Sequence, residues 1–206
     1  MKRDNYYIKR NIQDIDKTNE LLESLPSFCE DYFLGIEQRT SCQTRLKYAY
    51  DLRIFFDFLC KRKYRKKDVL DLTLEDLEGV TNNDIEFFLS YLSHYRFNEK
   101  SLSCDERAKA RKLSAVRAMF KYFFNKGLIE VDNSSKVQTP KLHEKEIIRL
   151  EADEVSKLID IAESGSGLSR HASGYHDKTI IRDIAIITLF LGTGIRISEL
   201  VGLDND

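Results

Sequence analysis

Apolar residues in this chain recur at intervals of three and four almost throughout, and no stretch keeps the two-residue alternation of a half-buried strand. That periodicity restricts the chain to an all-α fold. Residues 27–37 read as a short helix with Phe28, Tyr32 and Ile36 on one face. Ser41 or Thr44 is placed to start the next, which is expected to run to about Cys60 with Tyr48, Ala49, Leu52, Phe55, Phe56 and Leu59 as its stripe. Thr73 with Asp76, and Thr81 with Asp84, have the spacing of capping boxes. The second leads into Ile85, Phe88, Leu89 and Leu92. The clearest helix covers 103–126. Its apolar face is Leu113, Val116, Phe120, Phe123 and Phe124, and Arg107, Arg111, Ser114 and Lys121 share a polar face. Gly127 then stops it. Tyr48, Phe55, Phe120 and Phe124 are expected in the core rather than as platforms for bases.

Residues 130–146 lack periodicity and contain Pro140, which marks a linker. Beyond it, Val155, Leu158, Ile159 and Ala162 mark an amphipathic helix. Ser164 to Lys178, with Gly165, Gly167 and Gly174, reads as a flexible loop, and Ile180 to Leu191 as a strongly apolar helix.

A formal net charge of −1 hides a strong asymmetry. Residues 41–67 hold nine Lys and Arg against two acids, and residues 100–126 hold eight against two, so the remainder carries −14. Two separated basic segments are the electrostatic footprint expected for a phosphate backbone, or else two solvated helix faces. The run at 61–67 (KRKYRKK) follows a helix end, where cations also serve as caps. No apolar run approaches the roughly 18 residues of a membrane span, and the first residues lack an apolar signal region. The four cysteines, Cys29, Cys42, Cys60 and Cys104, are widely spaced, which suits reduced thiols in a cytoplasmic protein. The four histidines lack metal-ligand spacing. Neither metal nor other cofactor is expected, and no membrane partner.

At the C-terminal end of the apolar helix, Gly192, Thr193 and Gly194 form a turn, Arg196 follows, and Glu199 lies three residues on. Backbone N–H groups at a helix start favour an anion, and a guanidinium offers paired donors that fit a phosphate. Glu199 at i+3 shares the helix face and is placed to hold Arg196.

Residues 193–200 (TGIRISEL) resemble the first catalytic box of the tyrosine recombinase (phage integrase) family, with Ile195 where the family more often has Leu or Met. The resemblance extends over nearly the whole chain. Thr44, Tyr48, Asp51, Leu52, Phe55, Phe58 and Leu59 match the second helix of the family's core-binding domain. Residues 110–117 (ARKLSAVR), followed by Met119, Phe120 and Tyr122, match its fourth. Val137 with Pro140 and Lys141 is similar to the interdomain linker, and Arg182, Asp183 and Ala185, by the apolar helix, also resemble the family. The pattern is closest in kind to the bacterial Xer-like members.

The resemblance implies a SAM-like four-helix core-binding domain at 27–129 after an N-terminal extension at 1–26. An interdomain linker at 130–146 and a truncated, mainly helical start of the catalytic domain at 147–206 then follow. It implies a clamp around double-stranded DNA, other recombinase protomers as partners, and chemistry through a 3′-phosphotyrosyl intermediate without a cofactor. Arg196 is carried over as the ligand of the scissile phosphate, with Glu199 supporting it. Arg45, Lys47, Arg107, Arg111, Lys112, Ser114 and Lys121 are the expected DNA contacts. No histidine here has Arg three residues later, so the second catalytic box is missing, and no tyrosine follows it as nucleophile. The expectation is the DNA-binding portion of a recombinase, inactive alone. The alternatives are a non-catalytic DNA-binding protein, by natural truncation or as a regulator, and a helical protein–protein module.

Overall fold

The computed structural model describes residues 6–143 and 149–203. It divides into two compact units, one of residues 8–143 and one of residues 1–7 with 144–206. The described residues are mainly helical, as the periodicity requires.

In the larger unit, α1 (Tyr6–Leu22, entering this unit at Ile8) occupies the segment expected to be a mere extension. It buries Thr18 and packs Leu21 and Leu22 on the core. Then come α2 (Phe28–Ile36), α3 (Cys42–Arg62), α4 (Leu74–Glu78), α5 (Asn82–Tyr91) and α6 (Glu106–Asn125). Ser41 caps α3 by accepting the Thr44 N–H at 3.2 Å. Asp105 does the same for α6 with the Ala108 N–H at 2.8 Å. The core is aromatic. Phe28 of α2 meets Phe56 of α3 and Phe123 of α6 edge-on, with centroids 5.8 and 5.6 Å apart, and Phe55 meets Phe88 of α5 at 5.1 Å. Of the expected core residues, Phe124, at the margin of the α6 stripe, is 46% exposed, and Tyr48 is half-buried at the edge of the core.

Both predicted capping boxes form, and each recruits a cation from the 61–67 run. Asp76 receives the Thr73 N–H at 2.9 Å and Lys67 Nζ at 2.7 Å. Asp84 receives the Thr81 N–H at 2.9 Å and Lys63 Nζ at 2.5 Å. Arg62 lies 3.6 Å over the Phe87 ring. Much of that basic run is therefore structural. Burial pushes both aspartates up, but hydrogen bonds from Lys67 and Thr73, and from Lys63 and Thr81, outweigh it and hold both carboxyls below the usual range. A lowered folded pKa contributes stability above the unfolded carboxylate value, about 3.9, and loses it as pH falls through the folded pKa. Denaturant melts from pH 6 downward should show stability falling below about pH 4, and the fall should be shallower in an Asp76→Asn/Asp84→Asn variant. Equal pH dependence in the two proteins would refute this assignment.

Two further features of this unit depart from the expectations. A hairpin pairs β1 (Tyr95–Phe97) with β2 (Lys100–Leu102). Asn98 and Glu99 take φ of 47° and 62° at its turn, both positive as a two-residue hairpin of this hand needs. Three-residue strands are too short to show alternation. Next, the first half of the supposed linker belongs to this unit: Ile129, Ser134 and Val137 are buried. Arg117 donates to the carbonyls of Ser134 and Val137 and, at 2.8 Å, to Thr139 Oγ1. Pro140 comes directly after that clamp; residues 144–148 lie outside the described residues.

The smaller unit contains α7 (Ala152–Ser164), α8 (Arg170–Thr193) and α9 (Ile197–Val201). The expected loop at 164–178 is mostly helix. Only Gly165 and Gly167 adopt positive φ, 67° and 82°, and Ser169 caps α8 at the Ala172 N–H. Gly174 sits within α8 beside open space; a helix interior tolerates one glycine at about 1 kcal/mol. No described side chain of α7, α8 or α9 is fully buried. Ile184, Ile187 and Leu200 are half-exposed, and Leu191 is 42% exposed.

Candidate nucleic-acid interface and phosphate-binding turn

The candidate DNA contacts sort by burial. On α6, residues 107, 111, 114 and 121 follow one another at helical spacing, and Arg107, Arg111, Ser114 and Lys121 are all exposed. The opposite face is locked by Leu113, Val116, Phe120 and Phe123, each 0% exposed. The stripe therefore has a rigid backing. Arg107 and Lys121 have no carboxylate partner among the described residues. The Ser114 hydroxyl donates to the Ala110 carbonyl at 3.0 Å, back along its own helix. Lys47 of α3 is exposed as well.

Arg45 and Lys112 do not belong to this face. Arg45 is 8% exposed, and its guanidinium donates to the carbonyls of Glu37 and Thr40 at 3.0 and 2.8 Å. It thereby ties α3 to the turn that joins it to α2. Lys112 is 5% exposed, with Nζ 2.7 Å from Asp51 Oδ1. Asp51 of α3 is 1% exposed and takes Arg111 on its other oxygen. A buried carboxylate must be matched by charge and hydrogen bonds, so Lys112 is spent inside the core. Arg111 has a double place, pairing with Asp51 while its side chain stays 45% exposed. The sequence did contain the signal for Lys112: Val116, Phe120 and Phe123 lie four, eight and eleven residues after it, on its own helix face. Its partner Asp51 carries no such local signal, because the two lie 61 residues apart in sequence.

In the smaller unit, α8 ends at Gly194, whose φ of 64° is left-handed and whose N–H closes on Phe190 at 2.9 Å. Thr193 Oγ1 donates to the Leu189 carbonyl at 2.6 Å and accepts the Ile195 N–H at 3.2 Å. The chain then reverses so that Arg196 is the N-cap of α9. Glu199 takes the Arg196 backbone N–H at 2.9 Å and its guanidinium NH1 at 3.2 Å. Those hydrogen bonds, the backbone one foremost, hold the Glu199 carboxyl below its usual range. Glu199 thus answers the backbone donor at the cap itself, and the Arg196 guanidinium, 81% exposed, is the candidate anion ligand of the turn. Among the described residues no His, Cys, Asp and Glu cluster is placed to hold a metal ion, and no described helix is long and apolar enough to cross a membrane.

No family model and no solved structure matches the chain. Curated relatives do. Over 185 residues it is 32% identical to tyrosine recombinase XerC of Caldanaerobacter subterraneus subsp. tengcongensis, a match covering 85% of this chain and 47% of the relative. Tyrosine recombinase XerS of Lactococcus lactis subsp. lactis is 30% identical, with 94% of this chain and 60% of the relative covered. XerS of Streptococcus agalactiae is 27% identical, with 92% and 60% covered. The chain therefore spans about half the length of the first relative and 60% of the other two.

Proposed function

Because the chain is related along 85–94% of its length to the Xer-type tyrosine recombinases, we propose that it is the DNA-binding portion of a site-specific recombinase. Such an enzyme cuts and rejoins double-stranded DNA through a 3′-phosphotyrosyl intermediate, acting with other protomers in the cytoplasm and without metal or nucleotide. The observation that carries the reading is the exposed stripe of Arg107, Arg111 and Lys121 on a helix whose other face is fixed in the core. Phosphates set register and supply affinity in such contacts. Arg196 binds the scissile phosphate, and Glu199, bonded to both its backbone and its guanidinium, orients it. A guanidinium there offsets charge that develops on the phosphate; removing one such donor typically lowers a rate about 10²–10³-fold. These 206 residues hold no His-x-x-Arg box, and Arg196 supplies no attacking oxygen.

Two measurements test the reading. With Lys47, Arg107, Arg111 and Lys121 each on a phosphate, the log–log salt dependence of duplex affinity should be at least about −3.6, a loss of about 150-fold between 50 and 200 mM salt. Absence of duplex binding, or binding indifferent to salt, would favour a protein–protein module instead. A nicked suicide duplex should give no denaturant-resistant protein–DNA product with this chain, and such a product would show that a nucleophile is present.

A further inference from the structure

The exposed stripe of α6 does not end at Lys121. Ala118, Lys121 and Asn125 continue it at helical spacing into a cleft between α2 and α6. Arg39, in the 3₁₀ turn after α2, and Lys126, just after α6, complete the rim. Arg39, Lys121 and Lys126 are all exposed, no carboxylate lines this cleft, and none of the three pairs with a carboxylate among the described residues. Asp31 borders only the adjoining hollow beyond Lys126. Three like charges around one concavity repel one another, and an anionic occupant relieves that repulsion.

The floor is apolar and fixed. Tyr122 lies between the helices, its hydroxyl donating to the Asp31 carbonyl at 2.9 Å and its ring edge-on to Tyr32 and Phe123. Gly35 permits this: a Cβ there would fall 2.3 Å from the Tyr122 ring. An apolar floor rimmed by cations, with the Asn125 amide beside them, suits a chain that alternates sugar and phosphate. Continuity with the α6 stripe favours a polyanion running along the helix over a single small anion.

We propose that the α2–α6 cleft is a second seat for the phosphate backbone of the duplex, with Arg39 and Lys126 as contacts additional to the α6 stripe. The proposal rests on the DNA-binding reading above. It is tested by fluorescence anisotropy of a labelled duplex titrated with salt, using the 206-residue chain and its Arg39→Ala/Lys126→Ala variant. Each lost phosphate contact should flatten the log–log slope by about 0.9, so the double variant should be flatter by about 1.8. Lys9→Ala/Lys17→Ala removes the same charge from exposed positions on α1, outside the cleft and outside both basic segments, and should leave the slope near that of the parent chain. An unchanged slope in the cleft variant, with normal binding by the parent chain, overturns the cleft and leaves the α6 stripe standing. Equal flattening in both variants also overturns it, because net charge alone would then account for the effect. No binding by the parent chain refutes the DNA reading itself. Thermal melts of all three proteins check that folding is intact.

Discussion

Replacing Asp51 by Ala should lower the stability of the 8–143 unit by about 3–5 kcal/mol, the usual cost of stranding one partner of a buried ion pair. Asp51 is 1% exposed and is the only carboxylate within salt-bridge distance of Lys112 among the described residues. Without it, the Lys112 ammonium stays inside a helix interface with no counter-charge and has to deprotonate or drag water inward. Lys112→Met should be milder, since Asp51 keeps Arg111. Asp51→Leu/Lys112→Met removes both charges with side chains of similar volume and should recover most of the loss, because the two buried desolvation costs vanish together with their attraction, and Arg111, 45% exposed, is left to solvent. Urea unfolding of the parent chain and the three variants measures these differences. A loss under about 1 kcal/mol for Asp51→Ala would show that water already solvates the pair.

The second large effect concerns DNA. Removing the charges of Arg107, Arg111 and Lys121 together deletes three proposed phosphate contacts and should flatten the log–log salt slope by about 2.7. Referred to 1 M salt, this is a loss of up to about 500-fold at 0.1 M. Because Arg111 also pairs with Asp51, the triple variant mixes binding with stability. Arg107→Ala/Lys121→Ala leaves that pair untouched and should flatten the slope by about 1.8 with an unchanged melt. Anisotropy with both variants settles the assignment. If affinity and slope match the parent chain in both, α6 does not face DNA.

What the sequence determined follows from local physics. Hydrophobic spacing placed α2, α3, α5, α6 and α7, since an apolar stripe at 3.6-residue periodicity is buried by whichever partner it meets. The boxes Thr73 with Asp76 and Thr81 with Asp84 are closed by backbone geometry within four residues. The Arg196 turn was legible for the same reason: Gly194 supplies the left-handed residue and Glu199 reaches back only three positions. Tertiary structure alone decided what each charge does. Lys112 and Arg111 are neighbours of the same sign, yet one enters the core and the other straddles the surface, because Asp51 arrives from another helix. Lys63 and Lys67, in a run that reads from sequence as a basic segment or as caps of the helix before it, hold capping aspartates of α5 and α4 instead. Arg117 fastens 134–139 to α6, so the first half of the segment that reads as a linker is part of the larger unit. A charged side chain is assigned by the partner it finds, and those partners stand far away in sequence. Periodicity records which face of a helix is buried and carries no information on what is buried against it.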